Sequence, residues 1–427
     1  LKRKGYLVTG SDDKFFSPSK ENLKEENLLF KEGWFPKKIT SDLDFVILGM
    51  HAKIDNPELK EAKKKKIKIY SFPEYIALES KNKKRIVVSG SHGKTTITSM
   101  IMHVLKAKSI KFDYLVGAKI KGFNNMVHLS DNEIIIIEGD EYLSSKLDSK
   151  PKFLHYNPHI LILSGISWDH INVFPTYKSY VNAFIKLLKS IQSNCKVFYA
   201  NNDKELKKII KHAPGISQNY GLPNFSIYNG VFFLKNNDLK YKLSVFGKHN
   251  LYNLEAARSA CNELGVKNKF FFQSISSFSG AKKRLELFSM INTESFIYRD
   301  FAHSPSKVKA SIEALKDVFP KRKLISCLEL HTFSSLTFEF LSQYQDVFKA
   351  SDYVWLLFSP QEIKRKGLRI FSKNDVIRLI NHKKINVFDD KNELHQVLKE
   401  QVWKNTNLLL MSSGQFQGLD FKKLSIH

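Results

Sequence analysis

The stretch "VVSGSHGKTTITSM", residues 87–100, gathers the residue types that a polyphosphate needs. Gly90 and Gly93 let the backbone aim successive N–H groups at an anion, with Ser91 and His92 between them. Lys94 supplies a point charge for the outer phosphates, and the hydroxyl of Thr95 or Thr96 can ligate Mg²⁺. Residues 85–89 read as a buried parallel strand, and Ile97, Met100, Ile101, Val104 and Leu105 recur on one helical face. The pattern predicts strand, glycine loop, helix. Alone it also fits an ordinary strand-to-helix turn, because the first glycine precedes the second by three residues rather than the five of the usual phosphate loop.

Two more predicted strand ends bear on that choice. "IIIIEGDEY" runs into Glu138, Asp140 and Glu141, and "HILILSGISWDHINVF" ends in Asp169 and His170. In an open parallel sheet, ligands bind beyond the carboxyl ends of the strands, so loop and carboxylates can face one crevice. Glu138 suits Mg²⁺, which takes one or two carboxylates and keeps several waters. His170 reads from its own chemistry as a structural residue, since imidazole is not a typical ligand for a hard cation. Asp12, after "YLVTGS", sits where an acidic side chain accepts from a ribose hydroxyl, although a turn aspartate satisfies the same pattern.

Strands and helices alternate along all 427 residues, which is the pattern of parallel α/β domains. Three segments are expected, at 1–84, 85–279 and 280–427. Strands are expected at "YLVTGSDD", "LDFVILGM" and "IKIYSF" in the first, and at "FIYRDF", "KLISCLEL", "YVWLLFS", "KINVFDD" and "NLLLMSSG" in the last. The formal charge is +26, from 68 basic and 42 acidic residues, yet the densest basic run, "KEAKKKKIKIY", interleaves no aromatic platform. It reads as a solvated helix end, and no nucleic-acid partner is expected. Three widely spaced cysteines form no Cys-x-x-Cys pair and argue for a reducing compartment. No long apolar stretch or charged-then-apolar leader is evident, so no membrane span and a cytoplasmic location are expected.

"SGSHGKTTITSM", "IIIIEGDEY", "LILSGISWDHINVF", "FGKHNLYNLEAA", "GAKKRLE" and "DFAHSPSKV" together resemble, in order and spacing, the motifs of the Mur ligases, the ATP-dependent amide-forming enzymes of peptidoglycan synthesis. The resemblance spans essentially the whole chain. It implies a Rossmann-like N-terminal domain for a UDP substrate, a central P-loop ATPase domain with a parallel sheet, and a Rossmann-like C-terminal ligase domain. Within the family the chain is most similar to the murein peptide ligases. Those join the lactyl carboxylate of UDP-N-acetylmuramate to L-alanyl-γ-D-glutamyl-meso-diaminopimelate through an acyl phosphate. The UDP-N-acetylmuramate:L-alanine ligases are the alternative, and a basic P-loop NTPase acting on nucleic acid is a more distant one.

The resemblance implies a role for each matched position. Lys94 and Thr95 would hold the ATP phosphates and one Mg²⁺, and Glu138 with His170 a second Mg²⁺. Asn250 would contact adenine, with His249 and Asn253 shaping the pocket. Arg284 and Asp300 would grip the nucleotide's phosphate and ribose, and His303 would lie near acyl transfer. Asp12, His51 and Asn56 would belong to the UDP pocket. A monomer or weak homodimer is expected. Relatives begin with a strand and a glycine-rich loop for the UDP moiety, whereas Leu1 falls inside what reads as the following helix, so the first domain is expected to be truncated. Phe184 stands where several members carry a carbamylated lysine, as in the muramate-end enzymes. Alanine-adding members carry a second histidine and an arginine where this chain has Ser304 and Thr332, which leaves room for a longer acceptor.

Overall fold

The computed structural model describes residues 1–16, 19–228, 230–280 and 284–421. The chain divides into two compact units, Leu1–Lys83 with Asp140–Asn157, and Lys84–Gly139 with Pro158–His427. The stretch 140–157, which chain order assigns to the middle segment, thus groups with the N-terminal residues.

The larger unit holds two large sheets and one small one among the described residues. The first has seven strands in the order Val127–His128, Asp113–Leu115, Ile134–Glu138, Lys84–Ser89, Ile160–Leu163, Lys196–Ala200 and Ser217–Tyr220. All neighbours are parallel except the Val127–His128 edge pair. Near-continuous apolar strands suit a sheet covered on both faces, and Val87, Ile136, Leu161 and Ile162 are fully buried. The glycine-loop strand is therefore central, flanked by the two strands that lead to Glu138 and to Asp169. Helices Lys94–Ala107 and Lys248–Glu263 pack against each other. Helix Tyr177–Ser190 is capped by Thr176, whose hydroxyl accepts from the Ser179 N–H, and buries Phe184 5.3 Å from the Tyr180 ring.

The second sheet has six strands, ordered Glu286–Asn292, Ser295–Asp300, Thr406–Met411, Lys323–Glu329, Tyr353–Leu357 and Ile385–Phe388. Its first pair is an antiparallel hairpin and the rest are parallel. Alternation distributes the buried side chains of Thr406–Met411 to both faces. Leu409 and Met411 join one core cluster, while Leu408 and Leu410 join the other. The five strands expected in this segment all form, and Glu286–Asn292 adds one that was not anticipated. A three-stranded antiparallel sheet spans Phe225–Tyr228, Val231–Asn236 and Leu239–Lys242. All three cysteines are free and buried.

The smaller unit holds a two-stranded parallel sheet, Val46–Leu48 with Ile69–Ser71, and helices Pro57–Lys64 and Phe72–Glu79. The strand expected at "YLVTGSDD" does not form; only an isolated bridge joins Asp12 to Gly33. Its alternation is real, but Leu7 is 96% exposed, so no sheet face receives the apolar positions. Among the described residues, no helix is long and apolar enough to cross a membrane.

Candidate active site

The glycine loop connects the buried strand Lys84–Ser89 to helix Lys94–Ala107. Gly90 has φ +121° and Gly93 φ +69°, a region that L side chains rarely adopt. Space imposes the same choice. A Cβ on Gly90 would meet the Ser164 Oγ at 2.5 Å, and one on Gly93 the Asn253 Oδ1 at 2.1 Å. Gly93 caps the helix without a side chain, so the helix end offers its N–H groups and dipole to an anion. Lys94 donates from Nζ to the Gly90 carbonyl at 2.7 Å, which lays the ammonium against the loop. Ser91 ties the loop into the fold, sharing a 2.7 Å bond with the Tyr180 hydroxyl and accepting from the Ser167 N–H at 2.8 Å. Thr96 lies buried in the first helical turn.

Thr95, in the first turn of the helix, meets Glu138 at the end of the neighbouring strand, its hydroxyl donating to Oε1 at 2.9 Å. The Gly117 N–H donates to the other carboxylate oxygen at 2.7 Å. Arg284 reaches the same hydroxyl from 189 positions along the chain, with NH2 to Thr95 Oγ1 at 3.2 Å. Its guanidinium stacks over the Phe301 ring at 4.6 Å. A hydroxyl, a carboxylate and a guanidinium so arranged can bind a metal–phosphate group.

A second cluster surrounds Asp169. The His170 N–H donates to Oδ1 at 2.8 Å, while Lys307 Nζ lies 3.5 Å and His303 Nε2 3.9 Å from Oδ2. Burial would raise this carboxyl, but Lys307, His170 and His303 together hold it well below the usual carboxylate range. His303 Nδ1 sits 2.7 Å from the Phe301 carbonyl, an acceptor, so Nδ1 carries the proton and Nε2 keeps its lone pair. Burial, then the Lys307 charge, lowers its pKa to about 3. His92 behaves alike. Burial and the charges of Lys307 and Lys94 lower it to about 3, and its Nε2 bonds to Ser167 Oγ at 2.9 Å and Ser306 Oγ at 3.1 Å. His170 itself adopts a left-handed backbone, φ +55°.

The start of helix Lys248–Glu263 lines the loop. Asn253 donates from Nδ2 to Asn250 Oδ1 at 3.3 Å, and Asn250 donates to the Phe246 carbonyl at 2.9 Å. Burial lowers the His249 pKa, and Asp300 opposes it. Asp300 is buried and accepts from the Ser311 hydroxyl. In the smaller unit, Asp12, His51 and Asn56 line one cavity of about 680 Å³. Two of the three already hold local structure. Asp12 Oδ1 accepts from the Asp13 N–H, and Asn56 Oδ1 accepts from the N–H groups of Glu58 and Leu59.

Sequence reasoning missed Ser167, Ser306 and Lys307. For Lys307 a signal existed, since a cation in the first turn of helix Pro305–Val318 opposes the helix dipole and calls for an anionic partner. That partner is Asp169.

Residues 88–261 match the Mur ligase middle domain. The UDP-N-acetylmuramate--L-alanine ligase of Caldicellulosiruptor bescii is 32% identical over 375 residues, which cover 83% of this chain and 78% of that protein. The chain belongs to the Mur ligase family. Mur ligases are ATP-dependent amide-forming enzymes of peptidoglycan synthesis, so this chain is such a ligase. A second member, the UDP-N-acetylmuramate--L-alanyl-gamma-D-glutamyl-meso-2,6-diaminoheptandioate ligase of Haemophilus influenzae, is 29% identical over 74% of this chain and 72% of its own. Among solved structures, this Mur ligase resembles the murein peptide ligase of Psychrobacter arcticus, with TM-score 0.68 and 21% identity over 98% of this chain and 92% of that one. The UDP-N-acetylmuramate-alanine ligase of Thermotoga maritima gives TM-score 0.72 and 20% identity at the same coverage. Those two likenesses concern the fold, the multi-domain α/β architecture of the family.

Proposed function

We propose that this Mur ligase joins the lactyl carboxylate of UDP-N-acetylmuramate to the amine of L-alanyl-γ-D-glutamyl-meso-diaminopimelate, with ATP as the activating substrate. The observation that carries this reading is the convergence of Lys94, Thr95, Glu138 and Arg284 at a helix N-terminus without a capping side chain. A carboxylate oxygen attacks the γ-phosphorus and the bond to ADP breaks, which leaves an acyl phosphate. Lys94, Arg284 and the loop N–H groups hold the charge that develops. The amine then attacks the acyl carbon, the bond to phosphate breaks, and the amine gives up a proton. His303 offers an unprotonated Nε2 for that proton, with the Asp169 carboxylate to steady the resulting imidazolium.

Mg²⁺ fits these donors, because the Thr95 hydroxyl and Glu138 carboxylate are hard oxygens 2.9 Å apart, and we assign His170 as a further ligand. When bound, the ion neutralises phosphate charge. Asn250, Asp300, Gly90, Ser91, His92, Gly93 and Thr96 complete the proposed ATP pocket, and the cavity at Asp12, His51 and Asn56 takes the UDP moiety. ATP and nucleotide-sugar substrates imply a cytoplasmic enzyme.

The acceptor is chosen by what stands at 304 and 332. The Thr332 hydroxyl is committed to a local turn, accepting from the Ser335 N–H at 3.1 Å, and offers no fork for a small amino acid's carboxylate. Kinship with an alanine-adding enzyme at 32% identity favours L-alanine as the second reading. Competition of tripeptide against L-alanine with ATP and Mg²⁺, scored by the mass of the UDP product, separates them. The tripeptide product is expected to predominate, and a predominance of the alanyl product would overturn the assignment.

A further inference from the structure

Glu74, Asp148 and His155 lie in the smaller unit and take no part in the proposed chemistry. Their ligand atoms all lie within 4.8 Å of one another. We propose that they form a binding site for a borderline first-row divalent cation of the Zn²⁺ type. The imidazole carries the inference. The His155 side chain is only 10% exposed, and its Nε2 lies 2.8 Å from Asp148 Oδ2. Yet Nε2 is buried without a hydrogen-bond partner, so the close approach does not have the directionality of a donor and an acceptor. Two donors bound about 2.1 Å from one Zn²⁺ stand about 3–3.5 Å apart, which this pair reaches with a shift of a few tenths of an ångström.

The surroundings fit the same purpose. One oxygen of each carboxylate is held by a backbone N–H: Ser71 N–H donates to Glu74 Oε2 at 2.7 Å, and Lys150 N–H donates to Asp148 Oδ1 at 3.0 Å. Each carboxylate is thereby oriented; the second oxygen of Asp148 faces His155 and accepts a long 3.5 Å bond from the Ser71 hydroxyl, which a bound cation would displace. One imidazole beside two carboxylates favours Zn²⁺ or Co²⁺ over Mg²⁺ and Ca²⁺. The ion would pin helix Phe72–Glu79 to the Asp148 loop and to the turn Lys152–His155.

The test titrates Zn²⁺ into metal-stripped full-length protein by calorimetry, in excess Mg²⁺ so that hard oxygen sites are filled, with Co²⁺ absorption as a second readout. One equivalent is expected to bind and to raise the melting temperature. Asp148→Asn and His155→Gln should each weaken binding about tenfold or more and abolish that thermal shift. Asp148→Asn is nearly isosteric, and circular dichroism of the metal-free variants establishes that they fold. Glu138→Gln should bind Zn²⁺ as the wild type does. Absence of stoichiometric binding, wild-type affinity in Asp148→Asn, or loss of binding in Glu138→Gln would each overturn the site.

Discussion

The glycine loop and the cavity at Asp12 are built by opposite means. Around the loop, three adjacent parallel strands end together, and its polar side chains hold one another in place, from Thr95 on Glu138 to Ser91 on Tyr180. The cavity is lined instead by irregular chain around a two-stranded sheet, and its polar residues serve first as turn and cap. Phosphoryl transfer is positioning and charge, so a site for it needs side chains already fixed in place. If the cavity holds the UDP moiety as proposed, it needs only to bind, and residues with two duties suffice there.

That contrast predicts a large, purely catalytic effect at the loop. Lys94→Ala should lower ligation by at least about 10²–10³-fold while leaving the melting temperature nearly unchanged, since its charge is spent on phosphate rather than on packing. Steady-state ligation and thermal unfolding check this together, and near-normal turnover would remove the loop from the chemistry.

An intermediate effect concerns stability against pH. His92 and His303 titrate near 3 in the fold but near 6.5 when unfolded, so below 6.5 the unfolded chain binds more protons than the native one. Their stabilisation is complete above pH about 6.5 and declines toward 3, by at most about 1.4 kcal/mol per pH unit for each residue. Asp169, held low, acts in the same direction further down; its contribution is present above pH about 4 and lost as acid protonates it. Urea midpoints at pH 7 and pH 5 should fall in the wild type and fall less in His92→Gln. An identical slope in both would show that His92 does not stay neutral in the fold.

The smallest effect is expected at Asn56. Asn56→Asp keeps the oxygen that caps helix Pro57–Lys64, whereas Asn56→Ala loses it and should cost about 1 kcal/mol. If the amide also meets the UDP moiety, Asn56→Asp raises the KM for the sugar nucleotide with stability intact. An unchanged KM would leave Asn56 as a cap alone.

The loop, Glu138 and the Asp169–His170 pair were legible in sequence because each is a local pattern at a strand end, and strand order then brings the ends together. Arg284 and His303 were legible only through family resemblance. What sets Arg284 on Thr95 and Ser306 on His92 is packing between elements some 200 positions apart, which no local periodicity encodes. "YLVTGSDD" misled for the converse reason: alternation is necessary for a half-buried strand, but a partner strand and a core must also exist. His155 gave no signal, since a histidine between apolar neighbours reads as core until Asp148 and Glu74 appear beside it.

The crowding at Gly90 and Gly93 also sets where this enzyme can evolve. Any side chain at either position collides with Ser164 or Asn253, so the loop is closed to variation. Position 304 is the reverse, because the Ser304 hydroxyl is buried without a hydrogen-bond partner and its replacement forfeits no bond. If the proposed acceptor reading holds, new acceptors would be reached by change around the C-terminal sheet with the glycine loop inherited intact, and a directed library belongs at residue 304 rather than in the loop.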